Sequence, residues 1–265
     1  MFQNRSLISQ TLYGGIDFGY ASSLASQNIA SNINIGITQT SNAIVKGSFG
    51  KGLNLNIFAG YNLTKQICLE LGVSYLHGSK FTGAYIKDTV FKQNYSLSTT
   101  MLRLSPSIRI ETGEGKTKMY LKAGVLIRLA GNIKSENTFY DYTSNTTTVS
   151  EWKYARGFSL GALAAVGCQR QINNKINVFS ELFINVQSWA PKNGDVIKYT
   201  INEVSSLETL NFSQKSIHYV NSYTVANGKA SGFLPSEQLK QYHSFNSIGL
   251  KIGIYFAIGK NKKDV

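Results

Sequence analysis

The sequence predicts an all-β fold, a transmembrane antiparallel up-and-down β-barrel of about eight strands, on three observations. Apolar residues alternate with polar or small ones, with a period of two, over stretches of about ten residues. The connections between these stretches are alternately short and long, as in membrane barrels with short periplasmic turns and long extracellular loops. The composition combines 24 glycines, 15 tyrosines and 14 phenylalanines with 3 prolines, which favours sheet over helix.

The whole chain, residues 1–265, is interpreted as one barrel domain whose strands lie within 11–260. No run approaches the roughly 18 consecutive apolar residues of a transmembrane helix, so a closed barrel is the form in which this chain would span a membrane. The mean hydropathy of −0.12 agrees with this, because only alternate residues of a barrel face lipid. The first five residues lack the apolar segment of a signal peptide, so we interpret the start as a mature or re-engineered N-terminus.

The first half of the chain contains four expected strands. Strand one covers about Leu12–Tyr20 and is followed by a polar segment to about residue 47. Strands two and three, Gly52–Tyr61 and Ile67–Tyr75, alternate cleanly around a tight turn and therefore form a hairpin. A second polar loop, about 79–99, leads to strand four, where Pro106 predicts a local bulge because it removes one ladder donor.

The second half repeats the same alternation of short turns and long loops. Strand five starts near Met119 after a short turn, and a third polar loop covers about 132–154. Strands six and seven, about 157–167 and 177–187, flank another short turn. A long outer loop, 189–242, precedes the final strand. Residues 201–225 could add a hairpin outside the membrane or a further pair of strands, which leaves a count of ten open.

Charged residues recur on the polar faces of these strands at interior heights. They are Glu70, Arg103, Arg109, Glu111, Lys122, Arg128, Glu181 and Lys251. Since an eight-stranded barrel has room only for side chains, we expect these charges to point inward and to pair. Glu70 and Arg109 lie at similar heights on adjacent strands and should meet, and Glu181 should pair with Lys251 or Lys122. We interpret this network as satisfying buried charge; a proton or ion path is the alternative.

The final strand carries a short motif inside its alternation. Lys251, Gly253, Phe256 and Ile258 stand in an order that resembles the terminal assembly signal of bacterial outer-membrane barrels. In this motif and in its strand pattern from Leu12 to Lys260, the chain resembles the small outer-membrane β-barrel family that includes the OmpA and OmpX barrels and porin-like barrels of Gram-negative bacteria. This resemblance implies a bacterial outer-membrane location and the barrel assembly machinery as a partner during insertion.

Charge and cysteine usage bound the partners and cofactors. The net charge of +13 comes from scattered residues without a nucleic-acid recognition motif, so no nucleic-acid partner is expected. Anionic outer-membrane lipid and lipopolysaccharide head groups fit this charge, and solvated loop charges explain it equally well. Cys68 and Cys168 fall on opposite strand faces, so neither a disulfide nor a zinc site is expected. No cofactor or metal is expected.

The preferred function is that of a non-enzymatic outer-membrane protein acting through its extracellular loops. It would be a structural or interaction protein or an accessory subunit of a larger complex that includes other outer-membrane proteins. The candidate partner residues are aromatics of the longest loop: Tyr199, Phe212, Tyr219, Tyr223 and Phe233.

Two alternatives stay open. His77 and Ser79, spaced by two on one face, resemble the histidine and serine of outer-membrane lipid A deacylases, with Asp88 as the nearest carboxylate. The other alternative is a small pore.

Overall fold

The computed structural model describes residues 12–25, 27–112, 115–173, 175–222 and 232–258. The described part contains seventeen strands: β1 Leu12–Ser23, β2 Gln27–Ile35, β3 Thr40–Gly47, β4 Gly52–Asn62, β5 Ile67–Gly78, β6 Phe81–Lys87, β7 Phe91–Thr112, β8 Thr117–Asp141, β9 Thr146–Ala155, β10 Leu160–Gln171, β11 Ile176–Trp189, β12 Asn193–Ile201, β13 Val204–Ser205, β14 Ser216–Val220, β15 Ser236–Leu239, β16 His243–Ser244 and β17 Ser247–Ile258. A 3₁₀ turn, Leu207–Thr209, and a short helix α1, Phe212–Lys215, lie between β13 and β14. No helix in the described ranges is long and apolar enough to cross a membrane.

Eight of these strands pair in a closed antiparallel ring. The order is β1, β4, β5, β7, β8, β10, β11, β17 and back to β1. The closing pair runs from Leu12 opposite Ile258 to Ser23 opposite Ser247. The predicted up-and-down barrel is therefore confirmed. As far as the segment 201–225 is described, its strands β13 and β14 pair outside this ring.

The wall of the barrel has an apolar outer face and a polar or aromatic inner face. Along β1, β4 and β17 the outward positions Ile16, Ile57 and Ile252 are 49%, 62% and 60% exposed. Inward-facing residues of the same strands, Asp17, Asn56 and Tyr255, are buried. A continuous belt of exposed aliphatic side chains around a closed wall is stable in lipid and not in water, so this belt marks the membrane-spanning zone.

The two ends of the barrel differ. At one end, short turns join β4 to β5, β7 to β8, and β10 to β11. At the other, β7 and β8 continue to 22 and 25 residues, about twice the 9–11 residues that a tilted transmembrane strand needs. The excess length builds an outer sheet with the order β3, β2, β6, β7, β8, β9, β12, β14, β15, in which the β2–β6 and β14–β15 pairs are parallel.

The segments that the sequence predicts as polar loops are, in large part, strands of this outer sheet. Residues 79–99 form β6 and the outer half of β7, and 132–154 form the outer half of β8 with β9. The described part of 189–242 contains β12 to β15. The loop expectation is wrong there because these strands stand outside the membrane, where polar residues can occupy both faces and the period-two signal disappears.

The predicted bulge at Pro106 is also wrong. Pro106 stays in register opposite Leu71 of β5. The register shift of β7 against β8 lies between Leu102, which pairs with Ala130, and Arg103, which pairs with Arg128. An extra residue on β8 therefore separates the barrel from the outer sheet, and it sets Arg103 directly opposite Arg128.

Two buried clusters fill the lumen at different heights. Aromatic side chains of Tyr13, Phe58, Tyr120, Phe179 and Tyr255, with Cys68, surround the lower lumen. At the outer mouth, an apolar group that we call the outer plug contains Phe49, Leu76, Phe81, Met101, Ile133, Trp189 and Phe245. Both cysteines are free, Cys68 buried and Cys168 exposed, as their opposite strand faces predict.

Candidate functional site

Glu70 is the centre of a charged network inside the barrel. Its Oε1 accepts from the Tyr13 hydroxyl at 2.8 Å and lies 3.1 Å from Arg109 Nη1, while its Oε2 lies 3.3 Å from Lys122 Nζ. The expected meeting of Glu70 and Arg109 is thus present. Arg109 also contacts the Gln169 side chain, and its guanidinium lies 3.9 Å above the ring of Tyr120.

Glu181 joins the second half of the network. Lys122 Nζ lies 2.7 Å from Glu181 Oε2 and Lys251 Nζ lies 3.8 Å from Oε1, so both expected partners reach this carboxylate. The Tyr120 hydroxyl donates to Glu181 at 3.2 Å. Lys251 in turn lies 3.8 Å from Asp17, which accepts from Asn56 at 2.7 Å.

Glu111 completes the network near the short-turn end, between Arg109 at 3.1 Å and Lys118 at 3.1 Å. We call the assembly the lumen network: the carboxylates Asp17, Glu70, Glu111 and Glu181 with the cations Arg109, Lys118, Lys122 and Lys251. Its charges balance. Sequence reasoning missed Asp17 and Lys118, although Asp17 shares the polar face of its strand with Tyr13 and Gly19.

Arg103 and Arg128 do not take part, contrary to the expectation that all the lumen charges pair with one another. Arg103 Nη2 donates to Asn54 Oδ1 at 2.8 Å. Arg128 donates to the carbonyls of Gly157 and Gly131, both at 2.7 Å, and lies 4.2 Å above the Trp189 ring. The reason is their position along the barrel axis. Both arginines lie at the register shift, beside the outer plug, whereas the carboxylates lie closer to the short-turn end.

The four residues of the assembly motif divide between the two faces of β17. Lys251 points into the lumen network, and Phe256 and Ile258 lie on the exposed apolar face near the short-turn end. Gly253 marks a close approach, because a Cβ there would lie 2.5 Å from both the Ile16 carbonyl oxygen and Phe179 Cζ. The motif thus lies on the strand that closes the ring with β1.

The residues of the hydrolase alternative do not assemble in the described part. His77 is exposed on the lipid-facing side of β5, in line with Tyr75 and Val73. No hydrogen bond joins His77 to Ser79 among the described contacts, and Asp88 lies beyond the far end of β6. The described residues also contain no group of three or more His, Cys, Asp or Glu side chains that could hold a metal ion.

The aromatic partner candidates fall in different environments. Tyr199 lies in β12 opposite Ser150, and Tyr219 is half-buried against Tyr154, with ring centroids 6.3 Å apart. Phe212 and Phe233 are 51% and 90% exposed. Tyr223 lies outside the described residues.

A cavity of about 270 Å³ lies between the outer plug and the base of the outer sheet. Phe49, Tyr154, Tyr219 and His243 are among its lining residues. Burial raises the pKa of Tyr154 to about 12 and lowers the pKa of His243, so both side chains are uncharged at neutral pH. No local pattern in the sequence predicts this cavity, because its walls come from eight separate places in the chain.

Comparison with known proteins adds a family and two similar structures. The model of the OmpA-like transmembrane domain matches residues 8–192. Neisserial surface protein A is 10% identical, with a TM-score of 0.38, over 93% of this chain and 97% of that one. Ail, the attachment invasion locus protein of Yersinia pestis, is 7% identical, with a TM-score of 0.31, over 92% and 97%. None of the curated proteins matches this chain.

Proposed function

Because the chain belongs to the family of OmpA-like transmembrane domains, β-barrels of the outer membrane, we propose that it acts without catalysis, as an interaction protein or accessory subunit that contacts other outer-membrane proteins. The observation that carries this proposal is the outer sheet. A barrel that only had to stay in the membrane would need strands of about 9–11 residues, yet β7 and β8 extend far beyond that length. Ordered strands that project from a membrane protein are a scaffold for recognition.

The lumen supports the same conclusion by leaving little room for transport. The lumen network fills the lower barrel with paired charges, and the outer plug closes the mouth with Phe49, Trp189 and Phe245, all almost completely buried. Eight strands leave an interior that side chains can fill. A function in binding must therefore use the outside of the molecule.

The surface of the outer sheet has the composition of a recognition surface. Phe91 packs against Tyr85 and Phe139, with ring centroids 5.0 and 5.4 Å apart, and Tyr140 packs edge-on against Tyr142. Aromatic residues on a polar background are enriched in protein interfaces, where they supply contact area at little entropic cost. Phe212, just before β14, and Phe233, just before β15, are further exposed aromatic residues on the side of the outer sheet that β14 and β15 form.

Two further partners belong to the proposal. The lysines outside the barrel, in a chain of net charge +13, suit anionic lipid and lipopolysaccharide head groups. The β17 motif of Lys251, Gly253, Phe256 and Ile258 would be the contact with the barrel assembly machinery during insertion. We expect His77→Ala to leave the lipid A composition unchanged, because His77 faces lipid and a new lipid A pattern would require the hydrolase alternative.

The experiment that tests the proposal is co-purification. The protein is expressed with a signal sequence in a Gram-negative host, extracted in mild detergent, and compared before and after boiling on a gel, with mass spectrometry of co-purifying proteins. We expect a heat-shifted band with a fixed set of outer-membrane proteins. The double variant Phe212→Ser, Phe233→Ser should lose that set, whereas Ile172→Ser, an exposed residue at the short-turn end, should retain it. A barrel that purifies alone would contradict the proposal.

A further inference from the structure

Arg103 and Arg128 form a pair of like charges in the upper lumen. The two residues are directly opposite in the β7–β8 pairing, so their side chains start on the same face about 4.5–5.5 Å apart. Arg103 is 1% exposed and Arg128 is 8% exposed. Met101, two residues from Arg103 on β7, belongs to the outer plug, which covers the pair from the outside.

Three nitrogens of these guanidinium groups lack a hydrogen-bond acceptor among the described residues. Arg103 uses only Nη2, toward Asn54, which leaves its Nε and Nη1 buried without a partner. Arg128 uses both Nη atoms on backbone carbonyls, which leaves its Nε buried in the same state. A buried charged donor without an acceptor costs more free energy than a neutral one, so this arrangement calls for an anionic partner.

Within the described ranges, no carboxylate pairs with either arginine at this height. None of the ion pairs formed by the described residues includes Arg103 or Arg128. The four carboxylates of the lumen network are already matched by its own four cations. The amide oxygen and the two carbonyl oxygens that the arginines contact accept hydrogen bonds but do not neutralise the positive charges. Two adjacent buried cations therefore repel each other.

We propose that the upper lumen holds a small inorganic anion, chloride, which accepts hydrogen bonds from Arg103 and Arg128. Enclosure by the plug above and the lumen network below favours a compact monovalent ion over phosphate or sulfate, which need more space and lose more hydration energy on burial. The ion would act as a structural counter-ion of the fold. This inference is independent of the proposed interaction role, because it concerns the interior of the barrel.

The test is the anion dependence of thermal unfolding, measured on the purified protein in an uncharged detergent. Sodium chloride, bromide and gluconate are compared at constant ionic strength. We expect Tm to rise in the halides by about 3–5 °C for each tenfold increase above the Kd, and to stay constant in gluconate. Crystals grown in bromide should show one ordered bromide between the two guanidinium groups.

Two variants make the test specific. Arg103→Gln should remove the halide dependence, whereas Lys153→Gln, which removes an exposed cation of β9, should retain it. Asn54→Asp keeps the side-chain shape and sets a carboxylate at the position that Arg103 already contacts, so it should fold and lose most of the halide dependence. Coincident chloride and gluconate curves for the unmodified protein, or an unchanged halide slope in Asn54→Asp, would overturn the proposal.

Discussion

At the scale of single residues, Glu181 is the carboxylate whose charge matters most to the lumen network. Its side chain is fully buried and contacts Lys122, Lys251 and the Tyr120 hydroxyl. Glu181→Gln keeps the shape but leaves two buried lysines with one fewer counter-charge. We expect a loss of about 3–5 kcal/mol in the free energy of unfolding, the usual cost of breaking a buried pair, measured by urea unfolding in detergent.

The matched control is Glu136→Gln in the outer sheet. Glu136 pairs with Lys80 at 2.7 Å, a shorter distance than most pairs in the lumen, yet both side chains are about half exposed. Solvent screening limits such a pair to about 0–1 kcal/mol. Equal losses in the two variants would mean that water reaches the lumen network and that the barrel is not filled as described.

The lowered pKa of His243 predicts how the stability of the outer mouth changes with pH. It lies in β16 with its ring edge-on to Phe49 at 5.5 Å, and Tyr154 and Tyr219 line the same cavity. Burial lowers the pKa of His243 in the folded state, whereas the unfolded chain binds a proton near pH 6.5. The folded state therefore loses stability as pH falls from about 6.5 through the lowered folded pKa, and gains nothing further above that range.

The measurement is hydrogen exchange of β16 and the Phe49 segment at pH 7.5 and pH 5. We expect lower protection factors at pH 5, once the exchange rates are normalised to the slower intrinsic exchange at that pH, and His243→Gln should remove this difference because an amide does not titrate. Buried carboxylates also respond to acid, so the comparison between the histidine and glutamine forms isolates the contribution of His243. The same acid response in both forms would assign it to other groups.

At the scale of elements, the apolar belt decides whether the wall faces lipid. Ile57 lies at mid-height of β4, opposite Ile16 and Val73, and points outward. Ile57→Arg should destabilise the barrel in phospholipid vesicles by about 2–4 kcal/mol, the cost of a cation at the bilayer midplane. Thr138→Arg, at an exposed position of β8 in the outer sheet, should change stability little. Similar small effects at both sites would contradict the assignment of the belt to the membrane.

Strands could be predicted from the sequence where one face meets lipid and the other a filled lumen. In β4 and β17 this contrast produces a clean alternation, and neighbouring heights on β5 and β7 were enough to predict the contact of Glu70 with Arg109. In β9 and β12 both faces meet polar surroundings, so the same period disappears from the sequence although the backbone remains extended.

The contacts of Arg103 and Arg128 could not be predicted from the sequence, for a different reason. One extra residue at the β7–β8 register shift decides which side chains meet, and the local sequence carries no mark of it apart from Gly131, which adopts a φ of 136°. The outer plug was missed because Phe49, Trp189 and Phe245 lie at or beyond strand ends, where alternation gives no orientation. Long-range register thus limits the prediction more than local conformation does.

At the scale of the whole molecule, the lumen contains two barriers to ion flow in series. The lower barrier is the lumen network. Its lysine and arginine side chains already pair with the carboxylates that a passing cation would otherwise contact. The upper barrier is the outer plug, in which Trp189 is completely buried and packs against Phe245 with 5.9 Å between the ring centroids. Either barrier alone would block hydrated ions, because an eight-stranded barrel is only wide enough for its own side chains.

We therefore expect no stepwise conductance when the purified protein is reconstituted into planar lipid bilayers. Trp189→Ala should also remain closed, because it opens only the upper barrier and leaves the charged layer below intact. The variant that combines Trp189→Ala with Glu181→Gln weakens both barriers and is the first in which transient openings are expected. Steady conductance from the unmodified protein would contradict a filled lumen and restore the small pore as its function, whereas conductance from Trp189→Ala alone would show that the lumen network does not seal the barrel by itself.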